Sequence, residues 1–229
     1  MHVETIVGGA DEAGRGPVIG PMVVCVACFR EGDLPALQDQ GVIDSKQVSP
    51  KRRAELFDVI TRAAKVYELV VISPAEINEK MVRGTNLNEI EVAAFARAIN
   101  AVIQRGVFPG IVQVDAADVK PERFGARIQA LLSIKLAVDA RHKADATFTA
   151  VGAASILAKT TRDRLVDELA KQYGDIGSGY PSDPKTRAFL TGYYRAHGEF
   201  PAIARTEWGT LSQLKKEMGI LPKGQTRLF

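Results

Sequence analysis

The sequence has few of the residues on which several common kinds of site depend. It holds two cysteines and three histidines among 229 residues, whereas a structural zinc centre usually takes four Cys or His ligands. No apolar run approaches the roughly 18–20 residues that would span a bilayer. The first seven residues also lack the basic and then apolar layout of a secretory signal. We therefore expect a soluble, cytoplasmic protein with no membrane partner.

The two cysteines, Cys25 and Cys28, have the Cys-x-x-Cys spacing of redox and zinc motifs. They lie in an apolar, β-branched run at residues 22–29, which predicts a strand. Residues three apart on a strand point to opposite faces of the sheet, so the two sulfurs should diverge. We interpret both as buried thiols with no redox or metal-binding role.

Net charge is small, at +3, but it is unevenly placed along the chain. Up to Asp175 there are 22 Lys and Arg against 23 Asp and Glu, and from Ile176 onward there are 8 against 4. A basic C-terminal quarter suits a phosphate-bearing partner. A solvated face of charged residues would give the same count, so charge alone leaves both interpretations open.

Five apolar segments predict strands, near Val3–Ala10, Pro21–Phe29, Val66–Ile72, Ile111–Asp115 and Ile134–Val138. The turn between the first two is too short for a crossover helix, so this pair should be antiparallel. Cap signals and helical spacing predict one helix that begins at Ser49-Pro50. The same signals predict five further helices, over residues 88–104, 121–132, 152–173, 184–197 and 211–218.

This order of segments predicts an α/β fold, in which helices flank a sheet of about five strands. No strand pattern follows Val138, so the end of the chain should be helical. We expect residues 1–175 to form the sheet domain and residues 176–229 a helical extension packed on it. Nothing in the sequence demands more than a monomer.

Several acids stand where predicted strands end or helices begin. Asp11 and Glu12 follow the first strand, Asp115 ends the fourth, and Asp145 precedes the long helix. The carboxyl ends of strands are where open α/β sheets bind their ligands. Asp118 and Asp139 are local competitors, and their spacing alone does not choose among them. A solvated turn would equally explain acids beside glycines.

Three or four carboxylates at one sheet edge would repel one another unless a divalent cation lay between them. Hard oxygen ligands and the scarcity of histidine favour Mg²⁺ or Mn²⁺ over zinc. Such a site suits a mechanism in which two ions clamp the attacking and leaving oxygens of a phosphodiester. The sequence offers no Ser–His–Asp or Cys–His set for covalent catalysis.

The segment Gly14-Arg15-Gly16, here called the glycine turn, superficially resembles a dinucleotide-binding fingerprint. That motif needs a helix directly after it, whose N-terminus meets the pyrophosphate. Pro17 and a β-branched run follow instead. Binding of a nucleotide cofactor is therefore not expected.

Together, these segments resemble the motif blocks of the ribonuclease HII family, especially its archaeal form. The resemblance covers nearly the whole chain in the right order, through Asp11–Pro21, Asp44-Ser-Lys46 with Ser49–Arg53, Asn86–Glu91, Val114-Asp115, His142–Asp145, Ala153–Lys159 with Arg162-Asp163, Gly177–Pro184 and Ile203–Trp208. It implies a ribonuclease H-like mixed sheet. It also implies a metal-dependent endonuclease that cuts the RNA strand of RNA–DNA hybrids.

The resemblance also implies roles for particular residues. Its acidic quartet, which would bind two Mg²⁺ or Mn²⁺ ions, is Asp11, Glu12, Asp115 and Asp145. Its substrate-binding residues would be Gly14, Arg15, Gly16, Lys46 and Tyr180. The glycine turn would contact the ribose 2′-hydroxyl, and Tyr180 would stack on the sugar 3′ of the ribonucleotide. Cleavage 5′ to single ribonucleotides in duplex DNA would leave a 3′-hydroxyl and a 5′-phosphate.

Two features depart from the family pattern or add to it. The family often has Tyr and Ser where this sequence has Phe148 and Gly152, and we expect Gly152 to begin the long helix at a cost of about 1 kcal/mol or less. The tail with Gln225, Leu228 and Phe229 resembles a shortened sliding-clamp-binding box, although an untethered tail is an equal alternative.

Two other functions remain as hypotheses. One is a two-metal nuclease or strand-transfer enzyme of related fold that acts on all-DNA substrates, against which the glycine turn argues. The other is a non-catalytic nucleic-acid-binding module. The acidic quartet argues against that module, because a binding surface gains nothing from four acids that face phosphate.

Overall fold

The computed structural model describes residues 4–42 and 48–220. The chain forms two compact units. The first unit is made of Met1–Gly14, Met22–Ile72 and Asn86–Asp163, and the second of Arg15–Pro21, Ser73–Thr85 and Arg164–Phe229. The division into domains at residues 175 and 176 stays a prediction, because compactness by itself does not define a domain.

A five-stranded mixed sheet forms the centre of the first unit. Its strands are β1 (Ile6–Ala13), β2 (Met22–Arg30), β3 (Val66–Ile72), β4 (Ile111–Asp115) and β5 (Ala137–Arg141), in the order β3-β2-β1-β4-β5. β2 is antiparallel to both β1 and β3, while β4 is parallel to β1 and β5. The predicted five-stranded α/β sheet and its antiparallel first pair are confirmed.

Helices fill most of the rest of the described chain. They are α1 (Leu34–Asp39), α2 (Pro50–Ala63), α3 (Pro74–Val82), α4 (Leu87–Gln104), α5 (Pro121–Gln129), α6 (Ala144–Thr147), α7 (Thr149–Tyr173), α8 (Pro184–His197) and α9 (Gly209–Glu217). In the described residues, no helix has both the length and the apolar character needed to cross a membrane.

β2 is a central strand, and every residue in it except Arg30 is buried. A strand covered on both faces has an uninterrupted apolar sequence, which is why residues 22–29 lack alternation. Cys25 and Cys28 are free, buried thiols, as predicted. Burial raises the pKa of Cys28 to about 12 and that of Cys25 well above its usual value.

α7 lies directly against β1 at Gly9. A Cβ atom built on Gly9 would stand 2.0 Å from the carbonyl carbon of Ala150 and 2.3 Å from the amide nitrogen of Val151. Only a residue without a Cβ permits this approach of two backbones. Gly9 therefore sets the distance between the helix and the strand.

Two strand boundaries differ from the prediction. β1 does not end at Ala10, because its pairing with β2 continues to Ala13 opposite Val23. β5 lies three residues later than predicted, because its ladder with β4 starts at Ala137 and ends at Arg141. Pairing with a neighbouring strand, which local sequence does not show, decides both ends.

Helix boundaries differ in similar ways. α4 begins at Leu87, one residue before the predicted start, because Asn86 caps it: the Asn86 side chain accepts from the backbone N–H of Glu89, and the Glu89 carboxylate accepts from that of Asn86. α5 ends at Gln129 rather than near Leu132, and α9 begins two residues before Leu211. The prediction had no counterpart of α3, α1 or the short α6.

Candidate active site

Three of the predicted acids meet at one end of the sheet. Carboxylate oxygens of Asp11, Asp115 and Asp145 lie within 4.8 Å of one another. β1 and β4 are parallel neighbours whose last paired residues are Ala10 and Val114. The next residue on each strand is an aspartate, so the register places Asp11 beside Asp115.

Asp145 comes from the segment that follows β5. The first residue of α6, Ala144, donates its backbone N–H to Asp115 Oδ1 at 3.0 Å. Lys143, just before it, has a left-handed backbone with φ of 56°, which turns the chain sharply from β5 into α6. This turn and hydrogen bond hold Asp145 next to Asp115. Asp11 and Asp145 are buried, at 4% and 2% exposure.

Glu12 lies outside the group of three. Because β1 continues to Ala13, Asp11 and Glu12 are successive strand residues, whose side chains point to opposite faces. The prediction that Asp11 and Glu12 follow the first strand is therefore wrong, because both lie within it. Glu12 is still close enough to raise the pKa of Asp11, and its place in the quartet stays a prediction.

The two competing acids have other partners. Asp118 is 2% exposed and accepts from Arg123 at 2.7 and 2.8 Å and from the Lys120 N–H at 3.0 Å. The hydrogen bond from Arg123 is the main reason that the pKa of Asp118 is lowered. Asp139 accepts from Arg141. Neither belongs to the three-carboxylate group.

Burial and neighbouring acids both disfavour the ionised form of Asp11. Its pKa is raised well above the usual value, first by burial, then by the charge of Glu12 and, less strongly, by that of Asp115. A hydrogen bond from Ser155 and the charge of Lys159 act in the opposite direction. Without a cation, this site therefore disfavours the ionised form of Asp11.

Ser155 and Lys159 are two site residues to which sequence reasoning gave no role. Lys159 Nζ donates to Ser155 Oγ at 3.0 Å, so the hydroxyl proton of Ser155 is directed to Asp11. The signal was their spacing, since residues four apart share one face of a helix. The spacing of Ser155 and Lys159 therefore predicts that both side chains lie on one face of the long helix, and in the structure both act on Asp11.

Three oxygen donors within reach of one point, two of them buried, fit a hard divalent cation. The raised pKa of Asp11 supports the same conclusion, because a cation would relieve the repulsion that produces part of this shift. Asp11, Asp115 and Asp145 are thus the residues that would hold a metal ion.

Metal-free stability should depend on pH through Asp11. The folded chain binds this proton more tightly than the unfolded chain, whose carboxyl titrates near pH 4. The resulting stabilisation is present at low pH and is lost as pH rises toward the folded pKa. In EDTA, the Tm of Asp11→Asn minus that of wild type should therefore increase from about pH 4 to pH 8 in thermal melts. A constant difference would contradict this assignment.

In the second unit, Gly16 and Tyr180 lie side by side. Gly16 is exposed, Tyr180 is 44% exposed, and a Cβ on Gly16 would stand 3.6 Å from Tyr180 Cε1. Gly14, which belongs to the first unit, is buried and has φ of 87°. Arg15 is half-buried. Their contacts with substrate stay predictions.

The loop that carries Tyr180 is tied to the start of α8 by Asp183. This carboxylate accepts from the N–H groups of Ser178 at 2.6 Å and Lys185 at 2.9 Å. These bonds, that of Ser178 first, lower the pKa of Asp183 to about 2. Thr186 also ties this loop to α8, because its hydroxyl accepts from the Gly179 N–H and donates to the Ile176 carbonyl.

Four predicted residues lie outside the part of the chain that the structure describes. They are Lys46 in the second motif block and Gln225, Leu228 and Phe229 in the tail. The expected cap at Gly152 is wrong, since α7 begins at Thr149 and the Gly152 N–H donates to the Phe148 carbonyl.

Comparison with known proteins gives one consistent family. The model of the family described as "Ribonuclease HII" matches residues 8–211. A ribonuclease HII of Thermococcus onnurineus is 50% identical over 96% of this chain and 96% of its own length. The crystal structure of ribonuclease H2 from Pyrococcus horikoshii is 43% identical, covers 94% of this chain and 99% of that one, and has a TM-score of 0.86.

A further solved structure, at 38% identity and a TM-score of 0.79, is a complex of PCNA with the ribonuclease HII of Archaeoglobus fulgidus. The match covers 89% of this chain and 95% of that one.

Proposed function

Because the chain belongs to the ribonuclease HII family, we propose that it cuts duplex DNA on the 5′ side of single embedded ribonucleotides and leaves a 3′-hydroxyl and a 5′-phosphate. Membership makes it a ribonuclease H, an endonuclease that hydrolyses the RNA strand of RNA–DNA hybrids.

The observation that carries the proposal is the group of three aspartates. Asp11, Asp115 and Asp145 converge within 4.8 Å, and such a set of oxygen donors suits Mg²⁺ or Mn²⁺. Two bound ions would supply an activated water and neutralise the charge on the departing oxygen. Glu12, whose charge raises the pKa of Asp11, would complete the quartet.

Ser155 and Lys159 stabilise the arrangement of the acidic group. Ser155 donates a hydrogen bond to Asp11, and the positive charge of Lys159 partly offsets the negative charge of the neighbouring aspartates. Rigid placement of ligands avoids reorganisation when the reaction begins. We propose that this arrangement keeps the aspartates in place for the metal ions.

Choice of the ribonucleotide would depend on the glycine turn and Tyr180. RNA differs from DNA at the 2′-hydroxyl, and an enzyme that distinguishes them must bind this group. Gly16 is exposed beside Tyr180 and has no side chain that would keep a sugar away. A site built around a substrate hydroxyl can reject the analogue without it by about 10⁴–10⁵-fold.

The test is cleavage of an end-labelled DNA duplex with one ribonucleotide, in Mg²⁺, Mn²⁺ or EDTA, beside an all-DNA duplex of the same sequence. We expect one metal-dependent cut 5′ to the ribonucleotide and an intact control. Equal cutting of both duplexes would support a general two-metal nuclease instead. Binding without cutting would support a non-catalytic module.

We also propose that the tail binds a sliding clamp through Gln225, Leu228 and Phe229. The relative from Archaeoglobus fulgidus was solved with PCNA, and a Gln followed three residues later by an aliphatic residue is what this tail shares with clamp-binding boxes. Deleting residues 225–229 should abolish capture of an archaeal clamp in a pull-down while leaving hybrid cleavage unchanged. Thr226→Ala is the matched control, and clamp binding by the truncated chain would refute the proposal.

A further inference from the structure

We propose that Arg205 and Trp208 are positioning residues, which fix the peptide groups that recognise the ribose 2′-hydroxyl. This inference rests on the proposed function, because it needs the glycine turn to meet the ribose. The four residues that carry it, Arg15, Gly16, Arg205 and Trp208, all belong to the second unit.

Arg205 is a fully buried cation that binds backbone on the chain segment at residues 15–20. Its exposure is 0%. Its Nε donates to the Gly20 carbonyl at 3.0 Å, and its Nη1 donates to the Arg15 carbonyl at 3.0 Å. One planar guanidinium thus clamps two carbonyls that are five residues apart, which a lysine ammonium on a flexible stem does not reproduce.

The clamp on Arg15 determines where Gly16 can donate a hydrogen bond. The Arg15 carbonyl and the Gly16 N–H belong to one planar trans peptide, in which C=O and N–H point in opposite directions. When Arg205 fixes the carbonyl, it therefore fixes the direction of the N–H. Gly16 is exposed beside Tyr180, where a donor to a sugar hydroxyl would act.

Trp208 fixes the next peptide. Its Nε1 donates to the Gly16 carbonyl at 3.1 Å, and its ring carries the Arg205 guanidinium at 4.9 Å from the ring centroid. The following residue is Pro17, which has no N–H, so this carbonyl is the only hydrogen-bonding group of the Gly16–Pro17 peptide. Arg205 and Trp208 therefore hold consecutive peptides on both sides of the Gly16 Cα.

Backbone pairing fixes the two segments to each other. The Gly20 N–H donates to the Ile203 carbonyl at 2.9 Å, and the Arg205 N–H donates to the Val18 carbonyl at 2.9 Å. Ile19 and Ala204 form an isolated antiparallel bridge. Residues 203–205 thus lie antiparallel to residues 18–20, which follow Gly16 along the chain.

Asn78 of α3 binds the same segment, residues 203–208, from its other side. Asn78 Nδ2 donates to the Ala204 carbonyl at 3.0 Å, and Asn78 Oδ1 accepts from the Thr206 N–H at 2.8 Å. One amide therefore binds the residues on either side of Arg205. With its backbone anchored in this way, the Arg205 side chain has a fixed origin from which to reach Arg15 and Gly20.

This arrangement predicts a selective defect when one bond is removed. Trp208→Phe keeps an aromatic ring beneath Arg205 but lacks the N–H that binds the Gly16 carbonyl. Recognition of the 2′-hydroxyl depends on the direction of a donor, whereas binding of the duplex backbone depends on charge. The variant should thus lose ribonucleotide-directed cleavage and keep its affinity for DNA.

The experiment compares wild type, Trp208→Phe and the control Tyr194→Phe, which removes one polar group from another aromatic of the second unit. In Mg²⁺, kcat/KM is measured on a DNA duplex with one ribonucleotide, and Ki is measured for an all-DNA competitor. For Trp208→Phe we expect kcat/KM to fall about three- to ten-fold, the range that one hydrogen bond spans. Its Ki should stay at the wild-type value, and its Tm should fall by only about 2–4 °C because one hydrogen bond is lost. Tyr194→Phe should change none of the three.

An unchanged kcat/KM for Trp208→Phe would overturn the inference. So would a rise in Ki by the same factor as the fall in kcat/KM, because it would indicate a general weakening of duplex binding. Failure of wild type itself to cut the ribonucleotide duplex would instead refute the proposed function. Arg205→Lys should show the same selective pattern with a larger loss; if this buried substitution prevents folding, Trp208→Phe alone decides.

Discussion

Replacing Asp145 by Asn should lower the cleavage rate by at least about 10²–10³-fold, the loss typical of removing one group that stabilises transition-state charge. The side chain keeps its size but loses the charge with which it would hold a metal ion beside Asp11 and Asp115. Duplex binding should persist, because it depends mainly on basic groups elsewhere. Single-turnover cleavage and a gel-shift assay measure the two effects separately.

Asp139→Asn is the matched control for this substitution. Asp139 lies on β5, six residues before Asp145, and its carboxylate pairs with Arg141 instead of joining the aspartate group. It should cut at nearly the wild-type rate. Cleavage by Asp145→Asn at the same rate would remove Asp145 from the site.

A second signature accompanies the loss of activity. The three aspartates repel one another in the absence of a cation, so Asp145→Asn should be at least as stable as wild type in EDTA. Added Mn²⁺ should raise the Tm of wild type more than that of the variant, because ligand binding to the folded state stabilises it. Equal Mn²⁺-dependent shifts would argue against a shared metal site.

Substituting Gly9 by Ala should lower the free energy of unfolding by about 3 kcal/mol, the upper end of the usual cost of overpacking. The new Cβ would stand 2.0 Å from backbone of α7 at Ala150, and backbone cannot move aside as a side chain does. For a chain of this size, the Tm should fall by about 10 °C. Cleavage should fall too, since α7 carries Ser155 and Lys159 to Asp11.

Gly8→Ala tests the specificity of this effect with the same chemical change one residue earlier. Its Cβ would meet the side-chain atoms Val112 Cγ2 at 3.0 Å and Cys28 Sγ at 3.4 Å, which can shift by a few tenths of an ångström. The expected cost is about 1 kcal/mol or less, partly offset by the smaller backbone entropy of the unfolded chain. Similar losses for Gly8→Ala and Gly9→Ala would show that α7 can yield.

Local signals predicted element types well and element ends poorly. The Ser49-Pro50 signal predicts the start of α2, which Ser49 caps, and the helix predicted from residue 184 is α8, which Asp183 caps. Ser73-Pro74 carries the same signal, with Ser73 accepting from the Glu76 N–H, yet α3 was not predicted.

The acidic site was only partly determined by the sequence. Strand ends favoured Asp11 and Asp115, but choosing Asp145 over Asp139 required the family resemblance. The structure shows the physical difference, which is a turn at Lys143 that brings Ala144 onto Asp115. That turn needs a left-handed backbone at a lysine, a conformation that residue type does not predict.

Because both thiols are buried in the central strand β2, their rate of chemical modification should measure how often this protein unfolds. Burial raises the pKa of Cys28 to about 12, which disfavours the reactive thiolate near neutral pH, and Cys25 is buried in the same strand. A thiol reagent should therefore modify the native chain only as fast as the central strand becomes exposed. A cysteine introduced at the surface can be labelled without first removing the native pair.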